Sequence, residues 1–490
     1  MSTVVVIGAG LAGLSAAAHL RADGHDVVVV EREATPGGRS GRLERDGFTF
    51  DTGPTVLTMV DLVREPFTVL GASMEDHLDL QVLDPAYRAR YADGSTLHVR
   101  HGHDAMRAEI ERHSGPADAA AFDDFVTWLR ALYDVEMPHF IETNFNSPLD
   151  LLRHPRAAAE LLALRGFGRL GPEIRRRFAD ERLHRLFSFQ AMYAGLAPDQ
   201  ALALYAVITY MDSVEGVYFP AGGMRAVPQA MTAAAQAAGV LFRFGESVTR
   251  LDRRSDGCVR GVTLDGGERI AADAVVVTLD LPTAYSRLLP DLAPPRGVRS
   301  GKYSPSALVW HLGVRGTPGP EVAHHNIHFG EQWSEAFTDL LKRGTAMADP
   351  SRFVCVPSLH DATAAPEGSS TLYVLEPVPN LGVGQLNWEV EGPRLRDRLH
   401  RFLAAEGYPL DIVTEQLVTP VDWRDQGMEQ GTPFALAHTF AQTGPFRPPN
   451  VERRVPGLVF AGSGTVPGVG VPMVLISGRL AAQRVREGLR

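Results

Sequence analysis

The sequence predicts an α/β protein with a discontinuous Rossmann-like domain, a second sheet domain and a helical insertion. Three observations lead to this fold class. Near the start, a β-branched run is followed by closely spaced glycines and an Ala-rich stretch, which is the order of a strand, a tight turn and a helix. Residues 105–210 carry apolar residues at helical spacing, and residues 306–419 contain several strand-like runs. A chain of 490 residues exceeds the usual size of a single core, which leaves room for separate domains.

Composition and charge exclude several classes of protein. Hydrophobic residues make up 44% and charged residues 22% of the chain, which is typical of a folded protein with a large core. The formal net charge of -10 gives no reason to expect a nucleic acid partner. Cys258 and Cys355 are the only cysteines, too few for a disulfide framework or a zinc site, so we expect no metal and a cytoplasmic location. No apolar run reaches the roughly eighteen residues of a spanning helix, so we expect that the chain does not cross a membrane.

The first elements form a nucleotide-binding pattern. Residues 3–7 predict a strand, and a helix follows as far as residue 20. Between them, Gly8 permits the turn, Gly10 lets the backbone approach a pyrophosphate, and Gly13 lets the helix pack on the strand. The start of the helix then faces the phosphates with its free N–H groups. The helix residues expected at this site are Leu11 and Ala12.

An acidic residue after the second predicted strand strengthens this interpretation. Residues 25–30 predict that strand, and Glu31 follows about twenty residues after the glycines, where a carboxylate accepts hydrogen bonds from a ribose diol. An acidic side chain there would repel the extra phosphate of NADP. We include the neighbouring Arg32 in the predicted cofactor site.

The segment that follows separates flavin enzymes from nicotinamide enzymes. Gly37, Gly38 and Arg39 form a GGR motif directly after the second strand. This motif resembles the amine oxidase and carotenoid desaturase group of flavoproteins, in which it continues the pyrophosphate site. Arg39 would neutralise phosphate charge. The resemblance implies that the bound dinucleotide is FAD.

The far end of the chain resembles another part of the same flavin site. Residues 457–461 predict a strand that runs through a Gly/Pro-rich turn into a helix beginning near residue 472. In the flavoproteins that this segment resembles, the turn holds the ribityl chain and the helix N-terminus points at the flavin pyrimidine ring, where its dipole stabilises negative charge. The family often has an acid at this turn, so Ser463 implies a contact through backbone or hydroxyl groups. The contacts predicted here are Gly462, Ser463, Val471, Pro472 and Met473.

The FAD-binding domain is therefore predicted to be discontinuous. Strand character returns at 241–251, 259–264 and 274–279, and Val248 is included among the cofactor contacts. We interpret these strands as the chain rejoining its first domain. The predicted boundaries are 1–104, 216–290 and 451–490 for the FAD-binding domain, 105–215 for the helical substrate region and 291–450 for the substrate-binding sheet domain.

Three longer motifs narrow the resemblance to one family. They are residues 51–55 (DTGPT), 218–224 (YFPAGGM) and 462–472 (GSGTVPGVGVP). Together they resemble the bacterial and fungal type of phytoene desaturase, and the similarity spans the whole chain. On this basis we add Gly53, Pro54 and Thr55 to the cofactor site. Val466 stands where many relatives have His, which argues against a mechanism based on that imidazole.

The resemblance implies dehydrogenation of phytoene, by removal of a hydride to the flavin and of a proton from the neighbouring carbon. The product would be lycopene or a partly desaturated carotene, and a quinone or oxygen would be the electron acceptor. Phytoene has about forty carbons, and burying each CH₂ group away from water is favourable by about 0.8 kcal/mol. We therefore expect an apolar tunnel that opens toward a bilayer. No catalytic side chain is identified. The residues available to line the tunnel are Phe187, Phe189, Met192, Tyr193, Tyr205, Tyr210 and Met211.

The Arg-rich stretch 153–185 predicts a basic surface that could rest on anionic lipid. The chain would then be peripheral to the inner face of the cell membrane. A solvated helix face explains the same arginines equally well.

Other functions on the same fold stay open at this point. A carotenoid isomerase or ketolase would share the motifs, and a flavin amine oxidase would share the fold but take a smaller, polar substrate. A non-enzymatic prenyl carrier of the Rab escort type would share the fold without redox chemistry. The intact glycine pattern and Glu31 argue against the carrier.

Overall fold

The computed structural model describes residues 2–489, and its first sheet is open and parallel. Every neighbouring pair of strands in this sheet is parallel. Valines dominate its central strands, which are buried in the manner of a parallel sheet covered on both faces. The predicted α/β fold class is confirmed. The order of the five strands is Leu458–Phe460, Ala274–Val277, Thr3–Ile7, Asp26–Glu31 and Leu241–Phe244.

The helices Leu11–Ala22 and Val471–Gly488 pack tightly against each other beside this sheet. A Cβ atom on Gly478 would lie 2.3 Å from the carbonyl oxygen of Ala12, so only glycine allows this approach. Ser15 donates its hydroxyl to the carbonyl oxygen of Leu475 at 2.7 Å. The end of the chain is thereby fixed to its beginning.

The second sheet has seven strands and is mostly antiparallel. The strand His325–His328 pairs in parallel with Tyr87–Arg90, which brings an early part of the chain into this sheet. The strands Tyr87–Arg90 and Thr96–Val99, which lie within the predicted FAD-binding segment 1–104, are therefore part of the second sheet. The order is Asp411–Val418, Ser306–Arg315, Ser369–Val378, Arg352–Cys355, His325–His328, Tyr87–Arg90 and Thr96–Val99.

Smaller sheets complete the strand content. One is a three-stranded antiparallel sheet, and two are pairs of strands. Their strands are Val248–Arg253, Val259–Leu264 and Arg269–Ala271; Arg42–Arg45 with Phe48–Asp51; and Leu80–Val82 with Tyr218–Pro220.

Helices make up most of residues 103–213, which cover nearly all of the predicted helical insertion. Phe122, Phe125, Leu129 and Leu132 recur at helical spacing and are all buried in its core. The helices are His103–Ser114, Pro116–Glu136, Pro155–Ala163, Leu170–Arg177, Glu181–Leu186 and Val207–Ser213. Elsewhere the α-helices are Val60–Val69, Ala226–Ala237, Leu281–Leu288, Arg296–Arg299, Trp333–Thr338, Trp388–Ala405 and Pro420–Asp425. Within residues 2–489, no helix combines the length and the apolar character needed to cross a bilayer.

Candidate cofactor and substrate site

A continuous cavity of about 1350 Å³ is lined by residues of both large sheets and of the helical region. Pockets for single small ligands usually measure about 300–1,000 Å³, so this cavity has room for more than one molecule. Every predicted cofactor residue except Gly13 borders it. These residues are Gly8, Gly10, Leu11, Ala12, Glu31, Arg32, Gly37, Gly38, Arg39, Gly53, Pro54, Thr55, Val248, Gly462, Ser463, Val471, Pro472 and Met473.

The three glycines of the first turn have different structural roles. Gly8 has a φ angle of +105°, and a Cβ atom there would lie 2.2 Å from Thr278 Oγ1. A Cβ atom on Gly13 would lie 2.0 Å from the carbonyl oxygen of Gly8, so this glycine lets the helix approach the strand. A Cβ atom on Gly10 would make only ordinary contacts, the nearest at 3.8 Å from the carbonyl oxygen of Gly37. Gly10 therefore leaves space for a ligand, whereas the protein's own packing requires the other two.

Glu31 is buried at the end of its strand and also borders the cavity. Its Oε2 accepts the backbone N–H of Ala9 at 2.7 Å, and its Oε1 accepts the N–H of Glu33 at 3.0 Å. Each carboxylate oxygen can accept a further hydrogen bond, so the side chain can still receive a ribose diol. Arg32, by contrast, is exposed and pairs with Glu33 at 3.0 Å.

Arg39 connects distant parts of the chain. Its guanidinium donates to the hydroxyl of Ser463 and forms an ion pair with Asp280 at 3.2 Å. Asp280 also accepts the backbone N–H of Glu429 at 3.0 Å. The arginine predicted to neutralise phosphate thus has a protein carboxylate as its charge partner. Asp280 borders the cavity too, and it belongs to no motif that would have identified it from the sequence.

The donors around this end of the cavity suit a dinucleotide. Gly37 and Gly38 both have positive φ angles, and their turn packs on the first one, with Gly38 close enough that a Cβ atom would lie 3.2 Å from the Cα of Gly10. The helices that begin at Leu11 and Val471 both direct their first turns to the cavity. Free N–H groups at helix starts bind phosphate, and Glu31 supplies the ribose acceptor. The residues present therefore fit FAD.

The other end of the cavity is aromatic and aliphatic. Five of the predicted lining residues border it, namely Phe189, Met192, Tyr193, Tyr205 and Met211. Phe187 and Tyr210 do not. Phe187 lies in the helical core with its ring 5.9 Å from that of Phe122, and Tyr210 packs against Tyr133 at 5.0 Å. Helical spacing alone does not distinguish these core positions from the cavity wall.

Two buried carboxyl groups border the same apolar region, and the sequence analysis did not identify either. Asp212 accepts the hydroxyl of Ser213 at 2.9 Å and the side-chain amide of Gln190 at 3.4 Å. Burial raises the pKa of Asp212 to about 7. Burial also raises the pKa of Glu136 well above its usual range, and its Oε1 has no hydrogen-bond partner among residues 2–489. The only feature of the sequence that could have identified these two acids is their position inside mostly apolar helical segments.

Known proteins are similar to this chain over almost its whole length. Residues 11–486 match the family described as flavin containing amine oxidoreductase. A phytoene dehydrogenase of Streptomyces griseus is 52% identical over 487 residues, 98% of this chain and 94% of the relative. A zeta-carotene-forming phytoene desaturase of Myxococcus xanthus is 39% identical over 98% of this chain and 93% of the relative.

The solved structure of an oxidoreductase from Methanosarcina mazei has a TM-score of 0.63 with this chain. The two share 18% identity over 98% of this chain and 100% of the other, which supports the fold alone. The family match and the two relatives also show the family to which the chain belongs. This chain belongs to the FAD-dependent family of flavin containing amine oxidoreductases, in the same group as these phytoene desaturases.

Proposed function

We propose that this chain desaturates phytoene with FAD and gives lycopene or a partly desaturated carotene. The observation that carries the proposal is the continuous cavity, which joins the glycine-rich turns to a wall of aromatic and aliphatic side chains. A polyene of about forty carbons gains about 0.8 kcal/mol for each buried CH₂ group and suits such a wall. The similarity to phytoene desaturases supports the same substrate.

The two ends of the cavity would have separate tasks. Glu31 would bind the ribose, and the backbone around Gly10 would bind the pyrophosphate with the helix that begins at Leu11. Residues 53–55 and 471–473 would face the flavin ring. Bound FAD supplies the acceptor for a hydride, a chemistry that no side chain provides. The apolar wall would orient the polyene and exclude water, and a quinone or oxygen would re-oxidise the flavin.

A pigment assay tests the function directly. The chain is expressed in cells that make phytoene, and extracted carotenoids are analysed by absorption and mass. Loss of two hydrogens for each new double bond is the expected result. Unchanged mass with a shifted absorption would indicate an isomerase instead, and added oxygen a ketolase. If phytoene is unaltered and the purified protein contains flavin, an amine oxidase becomes the favoured function. If phytoene is unaltered and the protein contains no flavin, a non-enzymatic prenyl carrier is favoured.

We also propose that the cavity opens onto the inner face of the cell membrane. Leu149, Leu152 and Leu162 expose 72%, 74% and 68% of their surface. Leu162 also borders the cavity, as do the exposed residues Phe440 and Phe446. Clustered apolar side chains around an opening are typical of a surface that contacts lipid or another apolar partner. A membrane-stored substrate favours lipid.

The arginines 175–177 are a weaker basis for lipid contact. The buried carboxylate of Glu173 accepts Arg176 at 2.5 Å and Arg177 at 2.8 Å, and Arg175 pairs with Asp199 at 2.8 Å. Replacing all three would remove two of the three arginines that pair with this buried acid and leave only Arg165, at 2.6 Å. The apolar residues at the opening therefore make the better test.

Flotation with vesicles of neutral and anionic phospholipid tests the membrane proposal. The double variant Leu149→Ser/Leu152→Ser should float less than the wild type because it loses apolar area at the interface. Val390→Ser is a matched control, since Val390 is 61% exposed on the helix Trp388–Ala405 and does not border the cavity. Equal flotation of the double variant and the wild type would place the lipid contact elsewhere. No flotation of any protein would argue against a membrane surface.

A further inference from the structure

Asp212 lies in the wall of the cavity, next in sequence to the lining residue Met211. It belongs to the last turn of the helix Val207–Ser213, and it borders the cavity. The same helix packs through Val207 and Met211 against Val466, in the turn that precedes the last helix. The carboxyl group is thus held beside the segment that would face the flavin ring.

Other neighbours of Asp212 also connect it to the predicted flavin end of the cavity. Tyr87 and Tyr193 are its ionisable neighbours. The ring of Tyr87 lies 5.5 Å from that of His325, and the His325 Nε2 is 3.0 Å from the carbonyl oxygen of Thr55. Thr55 is one of the predicted cofactor contacts. Two sets of neighbours, one through Val466 and one through Tyr87 and His325, thus link Asp212 to segments near predicted cofactor contacts.

Asp212 lacks the arginine partners that two other buried acids, Glu376 and Glu173, have. Glu376 is fully buried and pairs with Arg352 at 2.8 Å, as Glu173 pairs with arginines. Among the described residues, Asp212 has no ion pair, and its hydrogen-bond donors are the neutral groups of Ser213 and Gln190. A buried, unpaired carboxyl group in a ligand cavity is costly to the fold and is typical of a functional site.

We propose that Asp212 accepts the proton in the desaturation, and this inference rests on the proposed function. One C–H bond of the substrate breaks, and the hydrogen leaves with both bonding electrons as a hydride. This hydride goes to bound FAD and reduces it. The C–H bond on the neighbouring carbon then breaks, its electron pair forms the new double bond, and its proton goes to a carboxylate oxygen of Asp212. The resulting neutral acid suits the apolar wall. It loses its proton again before the next double bond is made.

Glu136 is the other buried acid beside the apolar part of the cavity, but its burial makes it a poorer acceptor. Burial raises the pKa of Glu136 well above its usual range, which disfavours the carboxylate form that accepts a proton. Burial raises the pKa of Asp212 only to about 7, so it is partly ionised there. A proton acceptor works best when its pKa lies near the working pH. Burial also raises the pKa values of Tyr87 and Tyr193, which therefore do not titrate in this range.

The experiment compares the holoenzyme with Asp212→Asn, Asp212→Glu and the control Glu215→Gln. Glu215 is a partly buried acid near the end of the same helix that does not border the cavity. Phytoene is mixed with each protein without oxygen, and flavin reduction is followed by absorption between pH 5.5 and 9. The wild-type rate should rise with pH through about 7 and then level off. Asp212→Asn should lose this pH dependence and at least about 100-fold in rate, whereas Asp212→Glu should keep part of the rate with a shifted profile.

Two further readouts separate a proton acceptor from a merely structural residue. Bound flavin per protein should be unchanged in Asp212→Asn, which keeps the shape of the side chain. In the wild-type protein, an infrared carboxyl band should titrate near pH 7, and it should be missing in Asp212→Asn but present in Glu215→Gln. An Asp212→Asn rate within about threefold of wild type, with an unchanged pH profile, overturns the proposal. If Asp212→Asn fails to fold, Asp212→Glu takes its place. A titrating carboxyl band in the infrared spectrum and a shifted pH profile of the rate in that variant support the proposal, and their absence overturns it.

A wild-type flavin that phytoene does not reduce at all would instead refute the proposed function.

Discussion

Replacing Gly10 with Val should prevent FAD binding and leave the fold intact. Gly10 has φ and ψ angles of -75° and 172°, which suit a β-branched residue, and a Cβ atom there would be no closer than 3.8 Å to any neighbour. The free energy of unfolding of the apoprotein should therefore change by less than about 1 kcal/mol. The rest of the valine would enter the space where a pyrophosphate approaches the helix. Loss of about two charged hydrogen bonds, at roughly 1.5–3 kcal/mol each, weakens binding by about 10²- to 10⁴-fold.

The matched substitution Gly13→Ala, in contrast to Gly10→Val, should destabilise the folded protein. Its Cβ atom would lie 2.0 Å from the carbonyl oxygen of Gly8, where real Cβ atoms stay beyond 3.0 Å. The helix Leu11–Ala22 would have to move by about 1 Å, and overpacking of this kind costs about 1–3 kcal/mol of stability. Flavin fluorescence titration measures the affinity, and urea denaturation of the apoprotein measures the stability. Wild-type FAD affinity in Gly10→Val would refute the placement of the pyrophosphate, and equal destabilisation by both substitutions would refute the packing argument.

Three other predictions concern charged groups. Glu31→Gln should weaken FAD binding by about 1–3 kcal/mol, because an amide NH₂ would face a backbone N–H; unchanged affinity in a flavin titration would remove Glu31 from the site. Asp212→Asn should gain thermal stability relative to wild type as pH rises from about 4 to 7, since the raised pKa means that the folded wild type binds more protons than the unfolded chain there; a melting-temperature difference that does not vary with pH would contradict this. Glu376→Gln should cost about 3–5 kcal/mol in urea denaturation because Arg352 and Arg398 lose their buried anion, and a loss below about 1 kcal/mol would show that the ion pairs contribute little.

The predictions for the cofactor end of the site rest on local patterns. Gly8, Gly10 and Gly13 act within one strand, turn and helix, so their spacing alone indicates where the backbone must come close to another group. The separation of Glu31 from them is fixed by the same unit. Each of these features depends on neighbours in sequence, which is why the sequence could reveal it.

Features that depend on distant contacts could not be predicted in this way. Arg39 meets Ser463 and Asp280 only after the parallel sheet has assembled from separate parts of the chain. The strand Tyr87–Arg90 has the same short, alternating character whichever sheet it joins. Asp212 is one acid in a helical segment, and its burial and its unpaired state follow from helices and strands that lie far away in sequence.

The close packing of the last helix on the first has a consequence for biosynthesis. The strand Leu458–Phe460 and the helix Val471–Gly488 leave the ribosome after the other described elements, yet the helix supplies the partner for Ser15 and part of the cavity wall. Until they emerge, the face of the helix Leu11–Ala22 that carries Ala12 and Ser15 lacks its partner helix, and the cavity lacks that part of its wall. A nascent chain can therefore fold its early helices during translation, but it can enclose FAD only after this last strand and helix have emerged.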